Sequence, residues 1–255
     1  MNTASNVSAP AAEDLKLILP PKGTNAGAGV DWIGAGWKLF AKAPVMWIVA
    51  MLLLFVIAVV IHLVPIVGSL VFNLLSPVFA AGLVVACRAL ERGEGFELEH
   101  LFAGFQRQLS GLVILGLLML GVWILIALIC LGFVGFGILT AAFSGHMEDI
   151  APALMASGMS FVLALLVGLA LSVPALMLYW FAPALIIMHG TAPVEAMKAS
   201  FAGCWRNMIP FLVYGVVMLI LCIIAMIPIG LGLLVWIPLT ITSTYAAYRQ
   251  IYTEG

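Results

Sequence analysis

Apolar positions along this chain run in long blocks instead of alternating, and the blocks match helices that cross a bilayer. A crossing of about 30 Å of hydrocarbon needs roughly 20 apolar residues. Val45–Val64 has that length. Pro65 and Gly68 then turn the chain into a second run, Ile66–Ala89, with Pro77 inside it. After the polar stretch Glu91–Gln108, an unbroken apolar run covers Leu109–Phe143, and Ser144–Asp149 separates it from Ile150–Met188, kinkable at Pro174 and Pro183. Met208–Ile227 and Leu231–Ala247 form a last pair around Pro228-Ile229-Gly230. The fold class predicted is all-α, a polytopic membrane protein of six transmembrane helices. The two middle runs exceed one crossing. Spans are placed at Leu109–Leu131 and Phe161–Met188, with Gly132–Ser160 partly in the outer interface. Two long, tilted, kinked helices are the alternative.

An amphipathic stretch precedes each pair. In Asp31–Lys42, Trp32, Ile33, Trp37 and Phe40 are assigned to one helical face and Asp31, Lys38 and Lys42 to the other. Leu98, Leu101, Phe102 and Phe105 follow helical spacing, as do Val194, Met197, Phe201, Cys204 and Trp205 behind Pro193. These read as interfacial elbow helices. Residues 102–121 match 201–220 at seven of twenty positions, including Phe102/Phe201, Gly104/Gly203 and Arg107/Arg206. Pro77, Ala86 and Arg88 recur as Pro238, Ala247 and Arg249. The organisation predicted is elbow, span, turn, span, three times over (about 31–90, 96–190 and 193–252), around an axis normal to the membrane.

Composition agrees: the chain is 65% hydrophobic and 8% charged, against about 45–50% and 25% in ordinary soluble domains. With a net charge of −1, no basic excess is available to neutralise phosphates, so nucleic acid is excluded as a partner. All 10 Lys and Arg precede the first span, flank the second and fourth connections, or follow the last span. The positive-inside rule then places both termini in the cytoplasm. Residues 1–30, rich in Ala, Ser, Asn, Gly and Pro, read as a disordered cytoplasmic tail ahead of a membrane domain over 31–255. Cys87, Cys130, Cys204 and Cys222 lack paired spacing and read as apolar core.

Chemistry is sparse. No Asp, Glu, Lys or Arg lies mid-span, and intramembrane charges are what ion pathways and proton relays use. His62 and His189 fall at opposite depths, which rules out a shared haem, and no Ser/His pair lies at one depth. No catalytic residue, cofactor or metal is assigned. The remaining polar mid-span positions, Asn73 and the small-residue stripe Thr240, Ser243 and Thr244, are candidates for lining a cavity, with helix packing as the alternative. Trp32, Trp37, Trp47, Trp205 and Trp236 read as interface anchors.

The segment Gly34-Ala35-Gly36-Trp37-Lys38-Leu39-Phe40 with Pro44, the Pro65/Gly68 turn, Ser76-Pro77-Val78-Phe79 and Leu101–Phe105 resembles uncharacterised bacterial inner-membrane proteins of six spans. Ala192–Ala196 and Ala199–Phe201 are similar to a broader group that includes the membrane domain of some glycerophosphodiester phosphodiesterases. The resemblance implies a fold and a location; the soluble phosphodiesterase domain is absent, so that activity does not transfer. Two functions stay open. One is a non-enzymatic scaffold or accessory subunit of a membrane complex, with a membrane-protein partner or a second copy of itself. The other is a protein that binds or transports lipid or another apolar molecule, for which a continuous cavity reaching Asn73 or Thr240 is the discriminating feature.

Overall fold

The structure, a computed structural model, describes residues 15–143 and 150–254. Among them every named element is helical. Helix α1 (Ala28–Phe40) leads the hairpin α2 (Pro44–His62) and α3 (Val67–Arg92); a 3-10 turn (Leu98–Phe102) and α4 (Ala103–Arg107) lead α5 (Leu109–Phe143) and α6 (Ile150–Tyr179), the latter continued by α7 (Ala182–His189); α8 (Pro193–Arg206) leads α9 (Met208–Met226) and α10 (Leu233–Tyr252).

Prolines place several boundaries. Pro44, Pro183 and Pro193 sit in first turns, where the missing N–H has no intrahelical partner anyway. Left-handed Gly93 and Gly190 end α3 and α7. Pro77 stays inside α3, and the carbonyl of Asn73 that it leaves without an amide receives the Ser76 hydroxyl at 3.1 Å.

Helices α5 and α6 are 35 and 30 residues long, and the stretches there that are long and apolar enough to cross a membrane are Leu109–Gly135 and Gly158–His189. The expectation for Ser144–Asp149 lies outside the described residues. Continuous helix pairs every backbone group in lipid, which an irregular stretch cannot.

Five segments among the described residues are long and apolar enough to cross a membrane: Pro44–His62, Val67–Arg92, Leu109–Gly135, Gly158–His189 and Met208–Met226. The sixth expected span forms as α10, but Thr240, Thr242, Ser243, Thr244, Arg249 and Gln250 make it too polar for that set. Part of this polar set faces protein. Thr242 and Ser243 are fully buried, and each donates to a carbonyl one turn back.

Each elbow packs one face against longer helices and leaves the other exposed. Helix α1 runs against α10 and α9, the 3-10 turn and α4 against α3, and α8 against α6 and α7. Each elbow thus meets the helix closing the previous hairpin, with α1 completing the circuit on α10. Buried Trp32 and Phe40 on α1 are inside, whereas Trp37, expected on the same face, is 51% exposed. Trp32 and Trp47, expected as interface anchors, are core residues; Trp47 packs on Phe96 at 4.7 Å between ring centroids.

The core lies towards the end of the bundle where α3 and α10 finish. Residues 182–188 of α7 are all buried there, with Cys87 of α3 and Tyr248, Ile251 and Tyr252 of α10. His189 Nε2 meets the Tyr248 hydroxyl at 2.6 Å.

Residues from Leu15 onward, expected within a disordered tail, dock on the bundle. Leu15 is buried, Leu17 pairs with Thr253, and the Ile18 and Lys22 amides donate to the carbonyls of Tyr252 and Ile251. The composition suited a disordered segment because it has little apolar surface. Backbone hydrogen bonds, which composition does not report, hold it.

Candidate functional site

Three concavities bear on function, and they are separate. The largest, about 840 Å³, is an apolar groove between α6 and α9. Val173, Met177 and Trp180 form one wall, Phe211, Gly215 and Met218 the other, and Trp236 and Thr240 of α10 the floor. The floor is fixed by two bonds: the Trp236 indole donates to the Met218 carbonyl at 2.9 Å, and the Thr240 hydroxyl to the Trp236 carbonyl at 2.9 Å. With its hydroxyl turned onto its own helix, Thr240 shows the groove mainly its methyl group. Cys204 of α8 also reaches it; burial pushes this thiol up to about 12, so it is protonated and inert at neutral pH.

A smaller cavity of about 190 Å³ holds Asn73, with Pro77, Gly116 and Trp123. Asn73 Nδ2 donates to the Ser69 carbonyl at 3.0 Å, a local bond on its own helix. Asn73 and Thr240, the candidates for one shared axial cavity, therefore line different ones. Ser243 lines neither. It is fully buried where α1 crosses α10, sharing a 2.9 Å hydrogen bond with the Tyr214 hydroxyl. Thr244, half-buried one residue further on, also lines none of these cavities.

The third concavity, about 680 Å³, was not anticipated. It is ringed by charged side chains and lies among α1, the ends of α3 and α10, and the docked N-terminal segment. Lys22, Lys38, Lys42 and Arg249 line it, against the carboxylates of Asp31 and Glu91. Glu91 is already engaged by three donors. Its Oε2 accepts Arg88 Nη1 at 2.7 Å and the Tyr245 hydroxyl at 2.6 Å, and its Oε1 accepts Arg249 Nε at 3.0 Å. Lys22 Nζ donates to the Thr253 carbonyl at 2.9 Å and Lys42 Nζ to the Leu90 carbonyl at 2.8 Å. Each ammonium keeps two further protons for other acceptors. In sequence these cations read only as orientation signals, and no spacing along the chain joins Lys22 to Arg249.

Five apolar helical segments of spanning length around a polar-ended core define a helical integral membrane protein. Over 243 residues the chain is 30% identical to a "probable inner membrane protein" of Burkholderia thailandensis, with 89% of each chain covered. The chain belongs to the family of that protein. No family model matches it, and no solved structure does.

Proposed function

We propose that this is a six-span protein of the bacterial inner membrane, both termini cytoplasmic, that binds lipid or another apolar molecule within the bilayer without catalysing a reaction. The 840 Å³ groove carries the reading. It is of ligand-pocket size and lined by aromatic and aliphatic side chains. It reaches Thr240, the feature that distinguishes a binder from a scaffold. α10 is the sixth span in this reading, shielded from lipid by α1 and α9 along its polar face. The circuit of elbows supports a threefold repeat. Gly36, Leu101 and Ser200 hold matching places beside Trp37, Phe102 and Phe201, and each meets the preceding hairpin, at Ser243, Gly82 and Phe181 respectively.

The test is native purification with mass spectrometry of retained lipid, comparing the natural chain with Gly215→Phe. A Cβ on Gly215 meets nothing within 4 Å, so the position accepts a side chain, and a phenyl ring there occupies groove volume. Loss of a defined lipid in the variant supports binding. Equal retention, or a stoichiometric membrane-protein partner in place of lipid, turns the reading towards a scaffold. Orientation is checked with a membrane-impermeant thiol reagent: Glu94→Cys reacts from the cytoplasm, Leu63→Cys and Leu231→Cys from the periplasm.

A further inference from the structure

We propose that the cleft among α1, α3 and α10 is a binding site for a phosphate-bearing anion, the phosphodiester headgroup of an anionic lipid. The proposal stands on this cleft alone and is independent of the apolar groove. Four cations from three separate parts of the chain, Lys22, Lys38, Lys42 and Arg249, converge on one 680 Å³ concavity that contains two carboxylates. One of those, Glu91, is neutralised by Arg88 and Arg249, so the local balance is positive.

Like charges gathered in a concavity repel one another and are stabilised by an anion that enters. Lys38 is the telling residue: it is exposed on the cleft wall, and among the described residues no carboxylate or carbonyl accepts a hydrogen bond from it. The macrodipole at the end of α1 favours Lys38 and Lys42 but does not account for Lys22 or Arg249, which arrive from elsewhere. Depth points to a lipid. Lys42 lies two residues before Pro44, which opens a spanning helix, and Arg249 and Glu91 lie in the last turns of α10 and α3. Trp37, beside Lys38, is exposed together with Val45, presenting apolar surface next to the ammonium groups, as at a headgroup boundary. Basic pockets at the cytoplasmic ends of spanning helices recognise anionic headgroups.

The test uses the full chain in nanodiscs. Native mass spectrometry after reconstitution in an equimolar mixture of phosphatidylglycerol and phosphatidylcholine measures headgroup preference; thermal unfolding in pure phosphatidylcholine, titrated with inorganic phosphate, measures binding of the free anion. Expected are selective retention of phosphatidylglycerol, a fall of about fivefold in that selectivity for Lys38→Ala and a larger fall for Lys38→Glu. No change is expected for Lys198→Ala, whose partner Glu195 is on α8 outside the cleft. Because the Lys38 side chain holds no part of the fold together, the variants remain foldable. Stabilisation by inorganic phosphate that Lys38→Ala abolishes, without headgroup preference, keeps the anion site and overturns the lipid assignment. No headgroup preference and no phosphate response, or responses equal in the Lys38 variants, overturn the proposal.

Discussion

Ser200 is inserted into a backbone hydrogen bond of another helix: its Oγ accepts the Phe181 amide at 2.9 Å and passes its own proton to the Met177 carbonyl at 2.7 Å. Those two groups, four residues apart, would bond directly in an unbroken helix. The chain separates α6 from α7 at this point, and the serine repairs the gap from α8.

Ser200→Ala strands a buried amide and carbonyl in an apolar setting, at a cost of about 1–3 kcal/mol. The midpoint of thermal unfolding in detergent should fall accordingly, and Ser200→Thr, which keeps the hydroxyl, should recover part of the loss.

Gly36→Leu should disrupt the crossing of α1 and α10. A Cβ at Gly36 would stand 2.6 Å from the Ser243 amide nitrogen and 2.7 Å from its Cα, so the helices must separate. Overpacking of this kind costs about 1–3 kcal/mol, and even Gly36→Ala should lower the unfolding midpoint. An unchanged midpoint would mean that α1 is held elsewhere.

Asn207→Ala should release the N-terminal segment. The buried amide uses its full capacity: Oδ1 accepts the Thr24 amide at 2.7 Å and the Thr24 hydroxyl at 2.9 Å, and Nδ2 donates to the carbonyls of Lys22 at 2.9 Å and Gly203 at 2.8 Å. Hydrogen exchange at Ile18 and Thr24 should accelerate at least tenfold, the equivalent of about 1.4 kcal/mol, while exchange in α5 stays unchanged.

Acid should loosen the turn before α4. The backbone N–H of Glu97 donates to His100 Nδ1 at 3.2 Å, which requires the neutral ring. Burial holds this imidazole below its ordinary value of 6.5, with the Arg107 cation acting in the same direction against nearby Glu97. A depressed histidine binds fewer protons folded than unfolded. Its contribution is therefore full above pH 6.5 and is lost as pH falls from there through the lower folded value. His100→Gln should flatten the dependence of unfolding midpoint on pH across that window.

Apolar block length was enough to locate the helices, because in lipid little besides helix satisfies the backbone. The sites were harder to read. Thr240 was picked out as a polar interruption and does floor a groove, yet the groove's aromatic walls come from α6 and α9 and carry no signature of their own. Ser243 stood out for the same reason and proved to be packing, since only the crossing of α1 decides what a small residue faces. The cationic cleft escaped notice because Lys22, Lys38 and Arg249 become neighbours only after the chain has folded. Residues 15–27 were misread for a related cause: their anchors, Asn207 and the strand-like end at Tyr252–Thr253, lie more than 180 positions away.

That last attachment constrains the order in which the molecule can be built. The partners of residues 17–24 are Asn207, Ile251, Tyr252 and Thr253, all of which follow α2, α3, α5 and α6 in the chain, so these residues have no docking partner until Asn207 has been made and lack the rest until α10 is in place. Lys22 joins the basic cleft only by that docking. Completion of the cleft therefore waits for α10, which brings Arg249, and a chain stalled before it would lack that cation and the docked Lys22.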